Sequence, residues 1–251
     1  MEEYKKLIKR NKHIINNLND KNIDILIFHE GNITEEQQKN IHNETPELNI
    51  EFINITHIAF FDDKKNIENE IDEVKHFSLG YRHMCSFWFI NFFEIVKKYD
   101  KLLRIDEDCF IDSNIDDIFL QLNKYIFVSA TICSDVDFAT RGLNDFSLHF
   151  LFKNKEDFAF KTFIPKSPFG PYTNLIGFDL NKVINNNAFQ KYKNEIDNSN
   201  MIYKRRWGDM PLWGEAIYYF FGEDLLKIDH TIKYFHESHN NYINYTDQKE
   251  K

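Results

Sequence analysis

A chain of 251 residues with 42% hydrophobic and 16% aromatic side chains has apolar material for one large core, which excludes extensive disorder and predicts a single domain over 1–251. A net charge of -9, with no Lys/Arg stripe interleaved with aromatics, excludes a nucleic-acid groove; any phosphate-handling site must then draw on a bound cation or a few placed Arg and Lys. Three cysteines, Cys85, Cys109 and Cys133, lack CxxC spacing, which excludes a disulfide framework and a zinc site and fits a reducing compartment.

The amino-terminal stretch is charged and amphipathic, with no apolar run of about 18 residues, so neither a signal peptide nor a membrane anchor is expected and the location reads as cytoplasmic. Leu7, Ile8, Ile14, Ile15 and Leu18 predict an amphipathic helix over about 2–19. The β-branched run 23–28 predicts a strand ending at His29 to Asn32, and Thr34 with Gln37 has the pattern of a helix cap. A second strand is expected over 50–55, giving half of a nucleotide-binding α/β layer. Residues 78–99 carry Phe87, Trp88, Phe89, Phe92 and Phe93 and predict a buried helix. Strands follow at 102–105, 125–130 and 174–178, with helices at about 134–153 and 209–221. The alternation predicts an α/β fold with a mixed, mostly parallel central sheet flanked by helices. The polar stretch from about 240 to 251 is expected to fray.

Four segments carry candidate chemistry. Asp106-Glu107-Asp108 follows an apolar strand directly, and ligands of open α/β sheets bind at strand carboxyl ends. Hard divalent cations take one or two carboxylates together with substrate phosphates, so this triplet suits a diphosphate site. Spacing alone is weak evidence, because a chain of this composition yields roughly two DxD triplets by chance, and Asp135-Val136-Asp137 is another. Arg206-Trp207-Gly208-Asp209-Met210-Pro211, with Trp213 and Glu215 beyond it, combines indole rings and carboxylates as a sugar pocket would. The same residues also read as a helix start, with Asp209 capping and Pro211 in the first turn, and both readings can hold together. His236, within the run 233–239, follows a short strand and is a possible further metal ligand or an ordinary satisfied histidine. Arg82, in Tyr81-Arg82-His83-Met84-Cys85, has a fork suited to phosphate, or simply belongs to a helix amino end.

Taken in order, the segments Tyr81 to Trp88, Arg104-Ile105-Asp106-Glu107-Asp108, Arg206 to Asp209 and Tyr234-Phe235-His236 resemble the fungal α-1,2-mannosyltransferase family and its relatives in phages and large viruses, over roughly residues 24–240. The resemblance implies a GT-A-type, Rossmann-like glycosyltransferase domain that moves a hexose, with GDP-mannose as donor, to a glycan or other hydroxyl acceptor. It implies Mn²⁺ or Mg²⁺ held by Asp106, Asp108 and His236 on the donor diphosphate; with it, Tyr81, Arg82 and Asp106 are expected at the donor, and the residues read above as a sugar pocket, Arg206, Trp207, Trp213 and Glu215, at the acceptor. The family's triplet usually reads Glu-Pro-Asp, which makes Asp108 the firmer ligand. Phe178-Asp179-Leu180 matches the segment that carries an acid beneath the anomeric carbon, so Asp179 becomes the candidate nucleophile or ion-pair stabiliser of a retaining transfer, with Asp209 a second carboxylate nearby. One departure stands out: family members begin with a β-strand, whereas this chain opens in the helix that should follow it, and upstream sequence is expected to improve donor binding.

Two rivals remain at this level. A sugar-nucleotide nucleotidyltransferase would show a Gly-rich basic loop near its start, and with only 8 Gly none is found in the first strand region. A non-catalytic glycan-binding module would use the same aromatics and bind neither Mn²⁺ nor a nucleoside diphosphate.

Overall fold

The computed structural model describes residues 4–20, 22–154 and 168–245. Helix α1 (Lys5–Asn17) buries Leu7, Arg10, Asn11 and Ile14, the stripe that its periodicity predicts plus two polar residues that it does not. Strands β1 (Asp24–His29) and β2 (Asn49–Asn54) pair in parallel, with Ile25 opposite Ile50 and Phe28 opposite Ile53. The helix between them, α2 (Glu35–Glu44), starts on the expected capping box: Gln37 N–H donates to Thr34 Oγ1 at 3.3 Å and Thr34 N–H to Gln37 Oε1 at 2.8 Å.

The aromatic segment begins as the Leu79–Ser86 helix, capped where the Tyr81 N–H donates to Ser78 Oγ, and passes through one π turn at Phe87–Asn91 into the Phe93–Val96 helix. The Phe92 N–H donating to the Phe87 carbonyl closes that wider turn. With an extra residue in the turn, Phe87, Phe89, Ile90, Phe92 and Phe93 all reach the core.

Among the described residues nine further strands follow in order: β3 (Lys101–Ile105), β4 (Cys109–Ile111), β5 (Phe127–Ser129), β6 (Ile132–Ser134), β7 (Phe169–Pro171), β8 (Leu175–Asp179), β9 (Leu226–Ile228), β10 (Tyr234–His236) and β11 (Asn241–Ile243). The central sheet runs β3-β8-β5-β9 and is mixed, with helices around it, as expected. The expected parallel majority is not found: β8 enters reversed between β3 and β5, and only β5 with β9 is parallel there. A second small sheet, β11-β10-β4, is antiparallel throughout.

Two other expectations change. The helix expected over 134–153 is broken by β6 and by Gly142 at φ 78°, leaving short Asp137–Thr140 and longer Leu143–Asn154 pieces. The stretch expected to fray from 240 is ordered as far as Tyr245, because Ile243 is buried, Asn244 Nδ2 donates to the Ala130 and Ile232 carbonyls, and Tyr245 donates to Asp112. The end of that stretch, 246–251, lies outside the described residues.

The Asp209–Ala216 helix continues into a π turn at Ile217–Phe221, matching the predicted span. It is buried on every side, and Gly214 lets β7 lie against it directly, since a Cβ there would collide with the Phe169 carbonyl. Trp213, fully buried, is the hub of the main core, with Phe89, Phe127, Phe178 and Phe189 around it at ring-centroid distances of 5.1–5.8 Å.

Candidate active site at the carboxyl end of β3

β3 delivers Asp106 to Asp108 into a tight turn closed where the Cys109 N–H donates to the Asp106 carbonyl at 3.1 Å. The chain returns as β4, and the β10 register sets His236 opposite Cys109. Asp108 therefore meets His236 across two strands that are 127 residues apart at this pairing, a separation counted from Cys109 to His236. Asp108 Oδ2 lies 3.4 Å from His236 Nε2 and accepts from the Ser238 N–H at 3.3 Å; Ser238 Oγ is 3.1 Å from the same ring nitrogen. The hydrogen bond from His236, helped by Ser238 and opposed by partial burial, holds the Asp108 carboxyl well below the ordinary range, so it is ionised at neutral pH.

The other ring nitrogen, Nδ1, lies 3.0 Å from Asn174 Nδ2 and 3.1 Å from the Tyr172 hydroxyl. Asn174 is itself held by Tyr234, whose hydroxyl donates to Asn174 Oδ1 at 2.9 Å. These partners fix the ring: with the Asn174 amide donating to it, Nδ1 is the acceptor and Nε2 carries the proton toward Asp108, whereas a cation on Nε2 would move that proton to Nδ1, where the Tyr172 oxygen can accept its hydrogen bond. Ligand atoms of Asp108, Cys109 and His236 lie within 4.8 Å of one another. Burial, reinforced by the charges of Asp106 and Asp108, pushes the Cys109 thiol far up, leaving a carboxylate and an imidazole as the available donors. That donor set fits Mn²⁺ or Mg²⁺ completed by phosphate oxygens.

Asp106, expected beside them as a ligand, is committed elsewhere. Arg104 Nε donates to Asp106 Oδ1 at 2.8 Å and Nη2 to Oδ2 at 3.2 Å, while Nη1 donates to Asp209 Oδ2 at 2.6 Å. Burial alone would lower the Arg104 pKa; the charges of Asp106 and Asp209 more than reverse this and keep the guanidinium charged. It stacks 4.3 Å above the Trp88 ring. Arg10 reaches the same place from α1, donating from Nη1 to the Ile105 carbonyl at 3.2 Å. Burial pulls Arg10 down to about 10, against the upward pull of Glu107 and Asp106, so it too is charged at neutral pH.

A second charged cluster forms from the sequence motifs. Arg206, at φ 59°, pairs with Asp135 and donates to the Tyr81 hydroxyl at 2.6 Å, with its guanidinium over the Phe77 ring at 4.4 Å. The second acidic triplet thus serves as a counter-ion for the arginine. Tyr81, Trp88, Arg10, Arg104, Asp106 and Asp108 all line one open cleft with a volume of about 1360 Å³.

Several expected positions do not converge there. Arg82 Nη1 donates to Asn69 Oδ1 and to the Tyr203 carbonyl, both at 2.8 Å, tying a helix to a loop rather than facing phosphate. Trp207, Trp213 and Glu215 are each 1% exposed or less, so they cannot stack on or bind an acceptor; two are core rings, and Glu215 is sealed beside Asn144. Asp179 lies at the wrong end of the sheet. The antiparallel β8 puts it opposite Lys101, at the start of β3, where it caps a helix by accepting from the Lys182 N–H and pairs with Lys182 Nζ at 2.6 Å. Residues absent from the expected set, Arg10, Trp88, Tyr172, Asn174 and Ser238, are present in the site. Only Arg10 left a signal: a cation within the apolar stripe of an amphipathic helix.

No protein-family model and no curated protein matches this sequence. Solved structures do. Core-mannan synthase A (CmsA/Ktr4) from Aspergillus fumigatus, in its Mn/GDP form, superposes with a TM-score of 0.76 at 17% identity, covering 99% of this chain and 74% of that one. The mannosyltransferase Ktr4p from S. cerevisiae in complex with GDP gives 0.73 at 18%, covering 93% and 68%. Mouse xyloside xylosyltransferase 1 gives 0.51 at 11%, covering 89% and 78%. The chain therefore has the α/β, GT-A-type fold of these glycosyltransferases.

Proposed function

We propose that this chain is a metal-dependent glycosyltransferase that moves a hexose, with mannose the first choice, from a GDP-sugar to a glycan or other hydroxyl acceptor with retention of configuration. The observation that carries the reading is the meeting of Asp108 and His236, 3.4 Å apart, at the carboxyl end of β3, where Asp108 lines a cleft that Arg10 and Arg104 also line. Support comes from the shared fold, one relative of which is a Mn/GDP form.

Asp108 and His236 would hold the divalent cation, whose bound charge would offset the charge growing on the departing nucleoside diphosphate. The chain's own residues prepare that place. Tyr172 and Asn174 fix the imidazole so that Nε2 faces Asp108. Arg10, desolvated, charged and lining the same cleft, would add a second positive charge there. Asp106 and Asp209 act through Arg104, holding its guanidinium over Trp88 as a wall of the cleft. Arg206, clamped by Asp135, holds the hydroxyl of Tyr81, which lines the cleft.

The direct test is a panel of sugar nucleotides incubated with Mn²⁺ and scored for donor hydrolysis. GDP-mannose turnover that disappears with chelator is expected. Equal turnover with chelator, or none with any donor, would remove the reading.

A further inference from the structure

The second acidic triplet has no part in the cleft. Asp135 follows β6, and neither it nor Arg206 lines the cavity. Its carboxylate is nonetheless fixed at both oxygens: Oδ1 accepts from the Val136 N–H at 2.8 Å and Oδ2 accepts from Arg206 Nη1. The two side chains of that ion pair, arginine and aspartate, are only 7% and 15% exposed. An ion pair this far out of water gains little net stability, so its use is to be sought in geometry.

The geometry converges on one guanidinium. Arg206 lies against two rings, its Cζ 4.4 Å from the Phe77 centroid and 4.9 Å from that of Tyr81. Its turn is docked onto the segment that carries Asp135, because Trp207 Nε1 and Arg205 Nη1 both donate to the Arg141 carbonyl, at 3.2 and 3.3 Å. Room for the carboxylate comes from Gly208, where a Cβ would stand 3.0 Å from Asp135 Oδ2. Gly208 has an ordinary φ of -76°, so the position requires the missing side chain and not backbone freedom. What this cradle holds is the Tyr81 hydroxyl, which accepts from Arg206 Nη2 at 2.6 Å. A phenol oxygen that accepts there still has one hydrogen to donate. Among the described residues none accepts it, and Tyr81 lines the cleft while Arg206 stands behind it. Burial pushes the Tyr81 phenol far up, against the pull of the Arg206 charge, so the hydrogen stays on the oxygen at neutral pH.

We propose that Asp135 is a positioning residue for the cleft: it anchors Arg206, Arg206 occupies the back of the Tyr81 oxygen, and the hydroxyl is left as a hydrogen-bond donor directed into the cleft. A donor fixed in this way selects a ligand oxygen that carries negative charge, as a phosphate oxygen does, and disfavours a group that can only donate. Asp135 touches no ligand itself and acts only through the arginine. The part played in ligand binding rests on the donor-nucleotide reading above, whereas the orientation of the hydroxyl is independent of it.

Two measurements on the full chain test this. The first needs no ligand: with tyrosine labelled by ¹³C at Cζ, the Tyr81 resonance is identified by its loss in Tyr81→Phe. In Asp135→Ala that resonance is expected to shift while those of the buried Tyr192 and Tyr234 stay in place. Should this variant fail to fold, Gly208→Ala, which crowds the carboxylate without removing it, takes its place here and below. An unmoved Tyr81 resonance, or equal movement of all three, would overturn the positioning. The second is a double-mutant cycle read by calorimetric titration of GDP with Mn²⁺. Tyr81→Phe is expected to weaken binding about tenfold, the loss of one hydrogen bond to a charged group. Asp135→Ala should weaken it by a similar factor in the wild-type background and by less than about twofold once the hydroxyl is gone, since a residue that acts only through a partner loses its effect with that partner. Equal losses in the two backgrounds would overturn the proposal. Absence of GDP binding by the wild type would remove the donor reading, and the Tyr81 resonance would then decide the inference alone.

Discussion

Two carboxylates of this molecule, the half-buried Asp108 and the buried Glu215, have opposite surroundings. Asp108 sits at a strand end, partnered by His236 and a backbone N–H, and its carboxyl is held well below the ordinary range. Glu215 sits inside the aromatic core, where burial raises its carboxyl to about 7 despite help from Ser147 and Asn144, and one of its oxygens has no hydrogen-bond partner among the described residues. The first place is built to keep a negative charge next to an open cleft; the second drives an acid toward its neutral form. Charge kept ionised in a cleft is what a cation site needs, whereas an acid that burial drives toward neutrality is what a core tolerates.

The contrast can be broken from either side. The largest effect is expected from Trp213→Ala, which removes the ring that Phe89, Phe92, Phe93, Phe127, Phe178 and Phe189 pack against and should cost about 3–5 kcal/mol in urea unfolding. Should Trp213 instead be an acceptor platform, stability would hold and only the acceptor KM would rise. Next comes Glu215→Gln. The folded carboxyl binds its proton up to about pH 7, the unfolded one only to about 4.5, so wild-type stability falls as pH rises between these values and is level above. The amide carries no such loss, so the variant should match wild type near pH 4 and exceed it by about 3 kcal/mol at pH 8, given about 1.4 kcal/mol per pKa unit. A constant difference across that window would mean that Glu215 titrates normally. A smaller effect is expected on the Asp108 side from Tyr172→Phe. Loss of the hydroxyl that orients His236 Nδ1 should weaken Mn²⁺ binding about tenfold, the low end for outer-sphere partners, with the fold intact by circular dichroism; unchanged affinity would remove Tyr172 from the site.

How much of this was legible in the sequence follows the range of the interactions involved. The capping box at Thr34 and Gln37, the strand into Asp106 and the helix from Asp209 are local patterns, and each appears where expected. Trp213 and Glu215 misled because their helix is buried all round, so no periodicity separates an inward indole from one facing a cleft. Asp179 misled because strand direction is a long-range property: a carboxyl-terminal strand end is a ligand site only if the strand runs with its neighbours, and β8 runs against β3. Asn174 and Tyr172 were invisible for the same reason, since only the folding of β10 beside β4 brings His236 to them. The resemblance identified the Asp108 and His236 segments, but the pairing of Asp106 with Arg104 is a fact of geometry.

The central claim is tested most directly by calorimetric titration of Mn²⁺ with GDP into the wild-type chain and Asp108→Ala. The account predicts a saturable site in the wild type and at least a 100-fold weaker one in the variant, beyond the 10- to 100-fold typical of outer-sphere losses. Equal affinity in the two proteins would contradict it.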